Sequence, residues 1–187
     1  MEELNQFLFL KLNSLIGINS FIDTFIKIGA EYVVFLFVVV EIFLYFFKNK
    51  KDIAIFAFFS SMLALMLNQI CGLLYFHNRP FMDGIGKTIL NHIPENSFPS
   101  DHTSLMFSIA IYLYIKLENK IISELLLIFA TISSLSRVAV GVHYPLDIFA
   151  SILIALFSCF VIIKIENRLT IITNFIYKIE KFAFNLK

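Results

Sequence analysis

Little in this chain of 187 residues suits either water or tight turns: 16% of its residues are charged, and it holds six glycines, four prolines and two cysteines. Two cysteines cannot build a disulfide scaffold. So little glycine and proline excludes a collagen-like or low-complexity chain, and 23 phenylalanines exclude disorder. Neither sign of charge prevails, since 15 Lys and Arg stand against 14 Asp and Glu, which leaves no polybasic surface for nucleic acid. What fills the chain is apolar: 59% hydrophobic residues and a mean hydropathy of +0.83, against about 45–50% apolar in a water-soluble domain. One soluble core of this size cannot hide that much apolar surface, so the solvent for most of the chain is lipid.

A hydrocarbon layer of about 30 Å takes about 20 helical residues. Five stretches meet or approach that length: residues 28–47, 53–76, 101–117, 121–140 and 145–163. Each must be helical, because a lone strand in lipid leaves its peptide groups unpaired. The expected fold is therefore all-α, a polytopic membrane helix bundle forming one domain over residues 1–187. Ten of the basic residues (Lys48, Lys50, Lys51, Lys116, Lys120, Lys164, Arg168, Lys178, Lys181 and Lys187) fall on one side of these spans. Lys11, Lys27, Arg79, Lys87 and Arg137 fall on the other. The positive-inside bias makes the first side cytoplasmic, which turns the loop 77–100, the turn 141–144 and the amino terminus outward.

The two ends read as interfacial helices. Glu2 and Glu3 stand where a signal peptide would carry basic residues, and no small-residue cleavage site follows. In residues 1–20, Leu4, Phe7, Leu8, Leu12, Leu15 and Ile16 recur at helical spacing opposite Asn5, Lys11 and Asn13, the pattern of a helix lying on the outer surface; a sixth span is the alternative. In residues 165–187, a stripe of Leu169, Ile172, Ile176 and Ile179 beside basic residues predicts a separate helix on the cytoplasmic surface. Cys71 and Cys159 fall within spans and read as packing residues. Asn68 and Gln69 read as interhelical hydrogen-bonding groups, and Glu41 as a protonated or interhelically bonded structural residue.

The polar residues are not scattered. His77, His92, His102 and His143 all map to the outward side, together with Arg79, Arg137 and Asp147. Ionisable groups gathered at span ends facing one compartment mark a site. Ser100 precedes a helix, where free backbone N–H groups and the helix dipole favour an anion. Arg79 and Arg137 arrive from other span ends, and guanidinium groups bind phosphate oxygens in pairs. His143 and Asp147 are four residues apart, so one helical turn brings a carboxylate behind an imidazole and fixes its tautomer. The free ring nitrogen can then attack phosphorus, and His102, from another helix, can act as general acid on the leaving oxygen. Pro145 suits the first turn of the last span.

Three segments carry this pattern: Arg79-Pro80, then Pro99-Ser100-Asp101-His102, then Ser136-Arg137 followed after five residues by His143 and after three more by Asp147. The set resembles the signature of the type 2 phosphatidic acid phosphatase superfamily, whose helical core is similar to that of bacterial acid phosphatases and vanadium haloperoxidases. Within it the chain looks most like the bacitracin-resistance type undecaprenyl-diphosphatases. The resemblance implies His143 as nucleophile, Asp147 as its orienting carboxylate and His102 as leaving-group acid. It implies phosphate ligands at Arg79, Ser100 and Arg137 and the backbone N–H of Asp101. Two positions depart from the family pattern. The first-motif lysine would fall on Gly72, with Lys87 as a substitute cation, and Asp101 replaces a glycine, so its carboxylate must point away from the phosphate.

The implied activity is hydrolysis of undecaprenyl diphosphate through a phosphohistidine, with no cofactor or metal, an isoprenyl diphosphate lipid as substrate, membrane lipids as surroundings and no nucleic-acid partner. Phosphatidylglycerophosphate or phosphatidate as substrate, and transfer of the phosphoryl group to an acceptor other than water, fit the same residues. A metal-binding or transport protein built on the four histidines is the alternative of another class, since His77 and His92 have no part in this chemistry.

Overall fold

The computed structural model describes residues 2–47 and 49–183, and Lys48 and Lys187 of the basic set lie outside them. The described residues fold into seven helices and no strands: α1 (Glu2–Asn13), α2 (Ser20–Glu31), α3 (Val33–Phe46), α4 (Lys51–Leu74), α5 (Asp101–Lys116), α6 (Ile121–Ala139) and α7 (Pro145–Ala183). The helices α4, α6 and α7 are each long and apolar enough to cross a membrane, and α2 with α3 makes a fourth such unit. Large apolar side chains cover the outside, among them Phe21, Phe46, Leu73, Leu74 and Phe160, as a lipid solvent requires.

The shortest expected span, α5, sits in the middle and packs against α3, α4, α6 and α7. At 16 residues it is about 24 Å long. Its neighbours shield it from lipid, so it can carry serines that a lipid-facing helix would not. Ser104 donates to the side-chain Oδ1 of Asn68 on α4 (3.0 Å), and Ser108 donates back to the Ser104 backbone carbonyl (2.6 Å). Small residues line the seams: Ala57, Ser60 and Ala64 on α4 and Ser151, Ala155 and Ser158 on α7 are all buried. They let the backbones approach closely, which is the source of helix association in lipid. Cys71 and Cys159 are both free thiols.

Three expectations are corrected. The span drawn through residues 28–47 is not one straight helix, for it breaks at Tyr32 and bends by 43° between α2 and α3. No proline stands there. Gly29 instead packs so tightly on α6 that a Cβ would lie 2.7 Å from Ser136 Oγ, and the Ala30 carbonyl accepts from Arg137 Nη1 at 3.1 Å. At the amino terminus, α1 has 12 residues and is about 18 Å long, too short for a sixth span. Its apolar Leu4, Phe7 and Leu8 face outward, while Asn5 and Asn13 are buried against the bundle. Asn13 donates to the carbonyls of Lys87 (2.7 Å) and Ala139 (2.8 Å), and Asn5 accepts from the Leu146 amide at the start of α7 (3.0 Å).

At the other end the last span and the expected separate helix over residues 165–187 are one. The 39-residue α7 runs unbroken to Ala183. Its Glu166 bonds Tyr112 and Lys116 at the end of α5, and its Glu180 bonds Tyr45 of α3 and Lys51 of α4, so polar contacts fix this tail to the bundle. Of the two structural roles expected for Glu41, protonated or bonded across helices, the second is not seen among the described residues. Its buried Oε1 has no hydrogen-bond partner among the described residues and faces an apolar cavity of about 590 Å³ between α3, α4 and α5.

Candidate active site

Three helix ends and one loop meet at one end of the bundle. Arg79 lies in the loop 75–100, Ser100 caps α5, Arg137 ends α6, and Asp147 stands in the first turn of α7. The turn between α6 and α7 depends on Gly141, whose φ of +87° suits a residue without a Cβ. A Cβ there would also stand 2.4 Å from the Lys87 carbonyl oxygen. This close seat of the turn on the loop carries His143 back over the Arg137 guanidinium.

His143 is 2% exposed. Its Nδ1 lies 2.9 Å from the Ser97 carbonyl oxygen, which accepts only an N–H and so places the proton on Nδ1. Nε2 then presents its lone pair to two cations, Arg137 Nη2 at 3.2 Å and Arg79 Nη1 at 3.5 Å. Burial pushes this ring down to about 3, and the neighbouring guanidiniums add to the fall against the pull of Asp147. The ring is therefore neutral at pH 7.

Asp147 is fully buried but does not bond His143 directly, since Oδ2 lies 3.6 Å from Nδ1. That oxygen accepts from the Ser97 hydroxyl and from the Tyr144 amide (2.8 Å), closing the first turn of α7 as a capping box does. Its other oxygen lies 3.0 Å from His77 Nδ1. Ser97 and His77 are functional neighbours that the sequence reading misses. The only signals were the position of His77 two residues before Arg79 and the polar run Glu95-Asn96-Ser97 just before the second motif. Asn96 holds this loop in place. Its side chain donates to the carbonyls of Gly72 (3.1 Å) and Tyr75 (2.9 Å) and accepts from the amides of His77 (2.9 Å) and Phe98 (3.0 Å).

The hydrogen bond to Asp147 raises His77 above the ordinary histidine value, while burial works against it. Glu2 and Asp83 add smaller upward pulls, and the rings of Tyr75 and Tyr144 flank it. A raised folded value means that the pair stabilises fully below about pH 6.5 and loses its effect as pH rises through the folded value. The melting temperature lost by His77→Gln in detergent is expected to be largest near pH 6 and to shrink as pH rises above the ordinary histidine value. A loss that is constant or grows with pH would remove the charged His77–Asp147 pair.

A cavity of about 330 Å³ opens in front of His143, walled by Arg79, Arg137, His102, Asp101, Glu95 and His92. Arg79 and Arg137 are each 4% exposed, and the Nε of each is buried without a partner among the described residues. Arg79 also donates to the Val142 carbonyl (2.8 Å) and pairs with Glu95 (3.0 Å). The Asp101 carboxylate lies on the cavity wall but is turned to α4, where Asn68 Nδ2 donates to it at 2.8 Å. Ser100 is fully buried and accepts from the Thr103 amide (3.5 Å) and hydroxyl (3.2 Å). Lys87 does not substitute for the missing lysine, because its Nζ points to the Ile16 carbonyl (3.4 Å) behind α1. Gly72 is close-packed, so that a Cβ would meet Asn96 Nδ2 at 3.3 Å. Of the two histidines left without a part, His77 sits on Asp147 and His92 lines the cavity. Among the described residues no group of three or more His, Cys, Asp or Glu could hold a metal ion.

Comparison with known proteins places this arrangement. Undecaprenyl-diphosphatase BcrC of Bacillus subtilis (strain 168) is 27% identical over 184 residues, covering 97% of this chain and 94% of that protein. The bacitracin transport permease protein BcrC of Bacillus licheniformis is 30% identical over 184 residues, covering 96% and 89%. The crystal structure of Aquifex aeolicus LpxE matches with a TM-score of 0.71 and 26% identity, covering 86% of this chain and 95% of that one. The family model of the PAP2 superfamily matches residues 53–171, from the start of α4 into α7 and across the whole cavity. The chain belongs to the PAP2 superfamily.

Proposed function

We propose that this PAP2 lipid phosphatase hydrolyses undecaprenyl diphosphate to undecaprenyl phosphate and inorganic phosphate through a phosphohistidine at His143. The observation that carries the reading is the Nε2 lone pair of a neutral, buried imidazole, aimed between two guanidiniums at 3.2 and 3.5 Å. Arg79 and Arg137 hold the terminal phosphate, whose oxygens satisfy their unpartnered Nε–H groups. The Ser100 hydroxyl, which accepts two bonds and keeps its own proton to give, and the Asp101 amide at the start of α5 complete the cage.

His143 Nε2 attacks phosphorus, the bond to the bridging oxygen breaks, and His102 donates a proton to the departing lipid phosphate. Water, deprotonated by His102, then displaces His143 and releases inorganic phosphate. The paired guanidiniums stabilise the charge that grows on the equatorial oxygens. No step calls for a metal or cofactor.

The topology belongs to the same reading. The excess of basic residues on the opposite side of the spans supports a cavity at the outer face of the cell membrane, with the whole chain as one multi-pass phosphatase domain and residues 1–20 on the outer interface. The released lipid phosphate can re-enter the cell-wall carrier cycle. Protection against bacitracin, which captures the diphosphate carrier, follows from reduced exposure of that substrate. The relatives named for undecaprenyl diphosphate or bacitracin support the choice of lipid.

The test is phosphate release by the purified chain from undecaprenyl diphosphate, phosphatidylglycerophosphate and phosphatidate in equimolar competition. A preference for the diphosphate of at least about 10-fold in kcat/KM is expected, with EDTA leaving the rate unchanged and free phosphate as the product. Preference for either glycerolipid would move the substrate assignment. Loss of activity in EDTA, restored by zinc or magnesium, would move the mechanism, and phosphate appearing on an acceptor would make the chain a transferase.

A further inference from the structure

His102 faces two cavities. Besides the phosphate cavity, a second space of about 280 Å³ shares His92, His102 and Arg137 with it and is bounded on its far side by Glu31, Tyr32 and Phe35. It lies at the break between α2 and α3. The 14 residues of α3 span about 21 Å, which leaves Tyr32 about 9 Å short of the far side of a 30 Å hydrocarbon layer. The side chains of Tyr32 and Phe35 are exposed there, so the second cavity opens sideways at the depth of acyl chains.

The break is built in rather than incidental. Arg137 Nη1 holds the Ala30 carbonyl at 3.1 Å, and Gly29 sits directly on Ser136, so the end of α2 is fastened to α6 while α3 bends away by 43°. One guanidinium thus holds both the phosphate cavity and the mouth of its neighbour.

Charge and chemistry assign an end of the substrate to each space. The first cavity holds both guanidiniums with their unpartnered Nε–H groups, and its two carboxylates are already engaged, Glu95 on Arg79 and Asp101 on Asn68, whereas the second shares only Arg137 and adds the Glu31 carboxylate, so a phosphate dianion sorts to the first. The oxygen that His102 protonates carries phosphorus on one side and the leaving lipid phosphate on the other. With the phosphorus in front of His143, the leaving group must extend past His102, and the space beyond His102 is the second cavity.

We infer that the cavity at the α2–α3 break binds the isoprenoid end of the leaving group and passes the tail into the outer half of the bilayer between Tyr32 and Phe35. This rests on the proposed function, and the experiment separates the two.

Asn91 is an exposed loop residue on the wall of the second cavity, so Asn91→Trp fills the space without disturbing the core. The variant should lower kcat/KM for undecaprenyl diphosphate at least about 10-fold and change that for methyl diphosphate, which has no tail, by less than about 2-fold. An equal fall for both substrates, or no fall for either, overturns the tail assignment while leaving the phosphatase reading in place. If the wild-type chain hydrolyses neither diphosphate, the proposed function itself fails.

A second measurement does not depend on the variant. A diphosphate lipid with a photoreactive group in its first isoprene unit, bound to the wild-type protein, should label the segment holding Tyr32 and Phe35. Labelling of residues 69–73 on α4, which reach the phosphate cavity through Gln69 and Gly72 and do not line the second one, would overturn the assignment.

Discussion

His143→Ala is expected to abolish phosphate release, lowering kcat by about 10⁴-fold or more. No other side chain can take over the attack. Of the other two imidazoles on the cavity wall, His92 has its Nδ1 on the Ile93 carbonyl and His102 is needed at the leaving oxygen. Removing the ring also takes the donor from the Ser97 carbonyl and the acceptor from two buried guanidiniums, at a cost of about 1–3 kcal/mol in stability. His143→Asn separates the two effects, because its amide can still donate toward Ser97 while offering no nucleophilic nitrogen. Both variants should be equally inactive, and the asparagine variant should melt closer to the wild type in detergent. Quenching the wild-type enzyme in alkali during turnover should trap phosphate on protein, and the same quench should find none on either variant. Turnover within about 10-fold of wild type would remove His143 from the nucleophile's place.

What the sequence made legible follows its periodicities. Spans, their order and the three helix ends that carry Ser100 and His102, Arg137, and Asp147 could be read because a helix in lipid needs a long apolar run and because the third motif has helical spacing. The loop 75–100 has no period, so nothing local says that Asn96 will tie four backbone groups or that Ser97 will hold both His143 and Asp147. The break at Tyr32 was hidden for a related reason. Its cause lies on another helix, in Ser136 beneath Gly29 and Arg137 on the Ala30 carbonyl, while the local sequence Glu31-Tyr32-Val33-Val34 has no proline to announce it. Asn5 and Asn13 show the same limit in reverse. In water, the polar side of a helix faces outward, but for α1 the lipid takes the apolar side and the asparagines satisfy backbone groups of the bundle.

Asp147→Asn tests how the carboxylate works. Where a buried aspartate alone fixes the tautomer of a catalytic histidine, its amide analogue costs about 10⁴-fold. Here the tautomer is held by the Ser97 carbonyl at 2.9 Å, while Asp147 lies 3.6 Å away and acts on the imidazolium-like charge that develops as Nε2 bonds to phosphorus. The expected loss in kcat is therefore smaller, about 10²- to 10³-fold, with KM little changed because the phosphate ligands are untouched. The fold should survive. The asparagine oxygen can keep the bonds from Ser97 and the Tyr144 amide, and its NH₂ can donate to a neutral His77 in place of accepting from a charged one. The His77 linkage supplies an internal control, since the pH-dependent part of the melting temperature assigned to the His77–Asp147 pair should vanish in this variant. A 10⁴-fold loss with that pH dependence abolished would mean that Asp147, not Ser97, sets the tautomer during turnover. Full activity would mean that the two guanidiniums and the Ser97 carbonyl suffice, leaving the carboxylate as a clamp on the start of α7 and on His77.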